Sequence, residues 1–152
     1  MKNLYSAGLL WLLLFTAFTS YSQVEPPLNQ QIPDKPFLFT SLPNKFECNL
    51  EELEKLFSVS PSQKCKMKLN AAFQIEGIMQ GKFQRSDRLT SINIRLDKYE
   101  NAVFNLSRIV ENKAITYTGR IVSINHGDLL LLKQEKGKYF FIRQELKFSM
   151  VE

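Results

Sequence analysis

The sequence predicts an α+β domain: one short N-terminal helix packed on a strongly curled antiparallel sheet of six or seven strands, a meander or partly closed barrel. Three observations carry this expectation. In Ile115–Met150, β-rich runs are separated by turn signals at Asn125-His126-Gly127-Asp128 and Lys136-Gly137-Lys138, each placing Gly between β-branched, aromatic or aliphatic stretches. Strict alternation of apolar and polar residues marks half-buried strands at Met67, Leu69, Ala71, Phe73 and Ile75, and again at Ile92, Ile94 and Leu96. Leu129–Leu132 is a run of four leucines that must point to both faces. That strand is therefore expected to lie centrally, covered on both sides.

Residues 1–22 read as a signal peptide. Lys2 supplies the positive start and Ala7–Phe18 the apolar run, and Ser20 and Ser22 offer small side chains at the cleavage site. The run falls short of the roughly 20 apolar residues of a membrane span, and no later stretch comes close, so no transmembrane segment is expected after signal removal. The mature chain is expected to be secreted or periplasmic. Losing Lys2 lowers the net charge from +5 to +4. Basic and acidic residues interleave along the chain, as on a solvated surface, so nucleic acid is not an expected partner.

Residues 23–36 (QVEPPLNQQIPDKP) form a Pro-rich extended arm without apolar periodicity. The folded domain then occupies 37–152. Phe37-Leu38-Phe39 is its first apolar cluster, an edge segment docking on the core, and Pro43-Asn44 turns the chain. Asn49 is placed to cap a helix, with Glu52 at the capping-box position and Leu50, Leu53, Leu56 and Phe57 on one face. The residues from Lys66 to Glu76 read as one long strand, with Gly77 and Gly81 as places to bend or bulge. Ile92–Leu96 and Ala102–Val110 are further strands, and Glu111-Asn112-Lys113 leads into the final meander. Cystatin-like layouts and lipocalin-like barrels both fit this order of elements as fold analogies. An outer-membrane barrel fits less well, for want of aromatic girdles.

Cys48 and Cys65 flank the predicted helix. An even count in an oxidising compartment predicts a structural Cys48–Cys65 disulfide, which in the chain-entropy model contributes roughly 3 kcal/mol. The spacing is not that of a Cys-x-x-Cys redox site.

Little in the chain points to catalysis. His126 is the single histidine. With Asp128 two residues on it forms a nominal acid/base pair, but His-Gly at a hairpin tip is also ordinary turn chemistry. Burial in a cleft beside a second titratable group would favour an enzyme; an exposed tip would not. Neither a Gly-x-Ser-x-Gly nucleophile motif nor a Gly-rich phosphate loop is present, so no catalytic residue, cofactor or metal site is assigned. Asn105-Leu106-Ser107 matches a glycosylation sequon inside a predicted strand. Tyr139 and Phe141 share one strand face; most of the aromatics must be core, and core is the favoured reading here, but with Tyr117 they make a candidate binding patch if that face is uncovered. The leading expectation is a non-catalytic exported binding module for a protein, a glycan or an apolar small molecule. The alternatives are a small secreted hydrolase or isomerase using carboxylates with His126, or a lipocalin-like carrier of an apolar ligand.

Overall fold

The computed structural model describes residues 35–70 and 73–146. The expected signal peptide and the arm up to residue 34 lie outside them. The described chain runs β1 (Lys45–Cys48), α1 (Leu50–Leu56), β2 (Lys64–Lys68), β3 (Gln74–Ser86), β4 (Leu89–Leu96), β5 (Val103–Glu111), β6 (Ala114–Val122), β7 (Asp128–Glu135) and β8 (Lys138–Glu145). All eight strands belong to one antiparallel sheet in the order β1-β8-β7-β6-β5-β4-β3-β2. Strands β2–β8 are a meander; β1 returns to pair with β8. The sheet curls into a half-barrel, and α1 carries the chain from β1 at one edge to β2 at the other. No helix among the described residues is long and apolar enough to cross a membrane.

The sheet has eight strands where six or seven were expected, for two local reasons. Lys45–Cys48 is a short edge strand with only Phe46 and Cys48 facing inward, too brief a pattern to stand out. The presumed single strand from Lys66 to Glu76 is a hairpin. Leu69 N–H donates to the Phe73 carbonyl (3.0 Å) and Phe73 N–H to Asn70 Oδ1 (2.7 Å). Leu69 and Phe73 both stay on the buried side, so the two arms keep one parity.

Asn49 caps α1 as its residue type predicts, Oδ1 accepting from Glu51 N–H at 2.8 Å. The capping box does not form. The Asn49 N–H is committed to the Leu69 carbonyl, and the Glu52 carboxylate takes Lys55 instead, which holds its pKa below the ordinary value. Leu53, Leu56 and Phe57 are buried, whereas Leu50 is 43 % exposed. The buried stripe therefore begins one turn later than expected. Burial of Leu53 and Leu56 contributes about 2 kcal/mol each, which a helix this short needs.

The concave face is filled by aromatic rings that meet across strands. Centroids lie 5.4 Å apart for Phe46–Phe73, 5.6 Å for Phe46–Phe141 and 5.8 Å for Phe104–Phe141. α1 covers one end of the half-barrel and residues 35–44 cover the other. There the buried Asp128 carboxylate accepts from Leu38 N–H (2.7 Å) and Phe39 N–H (3.0 Å). Arg143 Nη1 donates to the Phe39 carbonyl at 3.0 Å, and Phe39 packs on Tyr99. The last residues of the expected arm dock too, with Gly127 N–H donating to the Pro36 carbonyl and Lys35 Nζ to that of Ile124. Gly127 thus serves close approach rather than a positive φ: a Cβ there would lie 2.8 Å from the Lys35 carbonyl oxygen. Positive φ falls at Asn112-Lys113 and Lys136-Gly137, the paired left-handed residues of two-residue hairpin turns.

The expected Cys48–Cys65 disulfide is not formed; both thiols are free and buried. The Asn49–Leu69 hydrogen bond sets Cys48 beside the far end of β2, while Cys65 lies about 13 Å back along that strand. A disulfide needs Cα atoms within about 7 Å. The Cys65 thiol turns instead to the Gly77 carbonyl, at 3.5 Å.

Candidate functional site

Arg108 is the one charged residue on a strand face otherwise occupied by Phe104, Leu106 and Val110, and it sits at the end of the half-barrel covered by α1. In β5–β6 register it stands opposite Tyr117. Its Nη1 donates to Glu54 Oε1 from the helix at 2.6 Å, and its guanidinium lies 5.1 Å over the Phe57 ring. The second Glu54 oxygen accepts from the Tyr117 hydroxyl. Tyr139 stands edge-on to Tyr117 at 5.6 Å, and its hydroxyl oxygen accepts from Tyr117 N–H at 3.1 Å. Lys82 Nζ donates to the Phe57 carbonyl and pins the helix end to β3. The residues Glu51, Glu54, Lys55, Phe57, Ser58 and Arg108 line an open depression of about 510 Å³.

Burial, then the hydrogen bond to Glu54, push the Tyr117 hydroxyl well above its ordinary pKa, so it keeps its proton at neutral pH. Both Glu54 oxygens are engaged. Arg108 Nε is buried without a hydrogen-bond partner among the described residues. With Nη1 held by Glu54 and the plane fixed by Phe57, the 30 % of the Arg108 side chain that stays exposed is what a carboxylate or similar anion would meet.

The candidate patch of Tyr117, Tyr139 and Phe141 is core, the reading the sequence favoured for these aromatics, with 7 %, 3 % and 0 % exposure. The half-barrel covers this face itself: Tyr117 and Tyr139 lie under α1, and Phe141 lies deeper, against Phe46, Phe73 and Phe104. What the sequence missed is Arg108 and Glu54. The available signal was parity, since an Arg continuing the inward series Phe104, Leu106 must find a partner or face a mouth.

His126 is buried rather than exposed at a tip. Its Nδ1 lies 2.9 Å from Ser123 Oγ and its Nε2 lies 3.3 Å from Glu100 Oε2. The companion expected for it, Asp128, is occupied by the backbone of Leu38 and Phe39. Ser123 and His126 are only 4 % and 5 % exposed, so neither presents a reactive atom to a substrate. Their contact closes the turn between β6 and β7. Asn105 lies mid-strand, and its Nδ2, the atom a glycan would occupy, donates to Asn93 Oδ1 at 2.7 Å. Burial pushes the Cys48 thiol up to about 12 and raises Cys65 as well, leaving neither as a nucleophile. Among the described residues no three His, Cys, Asp or Glu side chains gather in a way that could hold a metal ion.

The fold and this cluster define an α+β half-barrel with a charged mouth. No family model, curated protein or solved structure matches the chain.

Proposed function

We propose that the chain is an exported, non-catalytic binding module that recognises a carboxylate-bearing partner at the mouth between α1 and β5. The carrying observation is Arg108, fixed by Glu54 and Phe57 and with 30 % of its side chain exposed where it lines an open depression. The export half of the proposal rests on the leader-like residues 1–22. Two other readings lose ground on packing. The ring contacts that fill the concave face take up the space in which a carrier would hold an apolar ligand, and His126, although buried beside the titratable Glu100, is closed off with Ser123 rather than open to a substrate.

The test is an NMR titration with glutarate and with a short acidic peptide, reading the Arg108 Nε–H resonance directly. That resonance and the Phe57 ring signals should move saturably. Arg108→Gln should abolish the response without unfolding the chain, and Arg108→Lys, which lacks the planar fork, should restore little of it. An unmoved Nε–H resonance at millimolar ligand would refute the proposal.

A further inference from the structure

A different feature, independent of Arg108, points to the form a partner takes. Strand β3 is thirteen residues long, but β2 covers only part of it. Pairing with β2 ends at Ile78, and Ser62 and Gln63 bond the backbone of Met79. From Gly81 to Ser86 the strand pairs with β4 alone among the described residues. Its other side is a run of backbone donors and acceptors beside exposed side chains, including Phe83 at 44 % exposure. Phe83 is fixed in place: its ring lies across Gly81, where a Cβ would be 2.5 Å from it, and Arg85 stacks on it at 5.6 Å.

We propose that this free edge docks an extended acidic segment of a partner protein, which adds to the sheet as a further antiparallel strand. Backbone pairing supplies the contact, as in other strand-addition complexes, and charge selects the occupant. Within residues 81–89, Lys82, Arg85 and Arg88 stand against one carboxylate, Asp87. A second copy laid antiparallel on this edge would set cation against cation across the pair, which disfavours self-pairing. Register irregularities at Met79/Gly81 and Gln84/Ser86 bound the segment and limit a guest strand to the stretch between them.

The experiment uses the full mature chain, ¹⁵N-labelled, with two blocked peptides: one alternating Glu with Val and one alternating Lys with Val. The acidic peptide should shift the amides of Gly81–Ser86, give intermolecular NOEs to the β3 backbone and weaken as salt is raised. The basic peptide should do neither. Arg85→Glu with Arg88→Glu, both at exposed positions, should weaken the acidic peptide roughly tenfold and admit the basic one. Arg108→Gln should leave these shifts intact; their loss would place the peptide at the mouth and overturn the edge proposal. Equal shifts from both peptides, no shift within Gly81–Ser86, or concentration-dependent pairing of the chain with itself at this edge would each overturn it.

Discussion

The Asn49 amide donates to the Leu69 carbonyl across 3.1 Å, and through that bond the first strand of the sheet meets the last in its spatial order. β1 pairs with β8 and β2 with β3, so without curvature these two edges would stand a full sheet-width apart. The hydrogen bond closes the gap at one end, where α1 begins, and fixes the mouth in which Glu54 and Arg108 meet.

Two substitutions separate this closure from ordinary helix capping. Asn49→Ala removes the Oδ1 acceptor for Glu51 N–H and should cost about 1 kcal/mol. Asn49→Pro removes both the cap and the N–H, and the native φ of −76° already suits proline. The proline variant should therefore lose about 1 kcal/mol beyond the alanine variant in urea unfolding. Equal losses would mean that the edge-to-edge bond adds nothing.

The free thiols give a prediction of opposite sense to a disulfide. Ellman's reagent at pH 8 should leave Cys48 and Cys65 unmodified in the folded protein and titrate both in denaturant. Intact mass should correspond to two thiols. Cys48 also makes stability depend on pH. Its folded pKa, about 12, lies above the ordinary 9.0, so between these values the folded state binds the proton more tightly than the unfolded one. The contribution is fully present below about pH 9 and lost progressively as pH rises toward about 12. Cys48→Ala should flatten the decline in urea midpoint above pH 9, and an unchanged slope would exclude the thiol as its source.

How legible the chain was depended on the range of the interaction. The meander, the cap at Asn49 and the alternating faces of Ile92–Leu96 are local patterns, and each appears where the residues place it. The hairpin at Leu69–Phe73 stayed hidden because both its arms keep one parity, and β1 because four residues carry too little pattern. Partners chosen by curvature were beyond local reading. Nothing in the neighbourhood of Glu54 announces Arg108 in β5, and nothing near Asp128 announces Leu38 and Phe39. Cys48 and Cys65 misled because flanking a helix says which segments come near, not where along a strand each side chain falls.

Asp128 should act as the lock of the N-terminal strap. Its buried carboxylate accepts two backbone N–H groups, and bonds to a charged acceptor contribute about 1.5–3 kcal/mol each. Asp128→Ala should cost about 2–4 kcal/mol overall. In hydrogen exchange, Leu38 and Phe39 should lose protection well before the amides of β4 and β5. Uniform loss across the sheet would show that the strap does not open separately.

The neighbouring leucines of β7 test which face of the sheet is the core. Leu130 is 0 % exposed, faces the concave side and pairs in register with Ile121 and Arg143. Leu131, one residue on, points to the convex face, is half-buried and stands between Arg120 and Ile142. Sequence alone placed both under cover; the structure separates them. A carboxylate at position 130 would enter the aromatic interior without a hydrogen-bond partner, a cost beyond about 4 kcal/mol, enough to unfold a domain of ordinary stability. A carboxylate at 131 would instead reach solvent beside the Arg120 guanidinium, and the variant should stay within about 1 kcal/mol of the wild type. Leu130→Asp is thus expected to lose the cooperative thermal transition and Leu131→Asp to keep it. Should Leu131→Asp unfold as well, the cover that already leaves Leu129 on the same face only 2 % exposed would have to extend over Leu131.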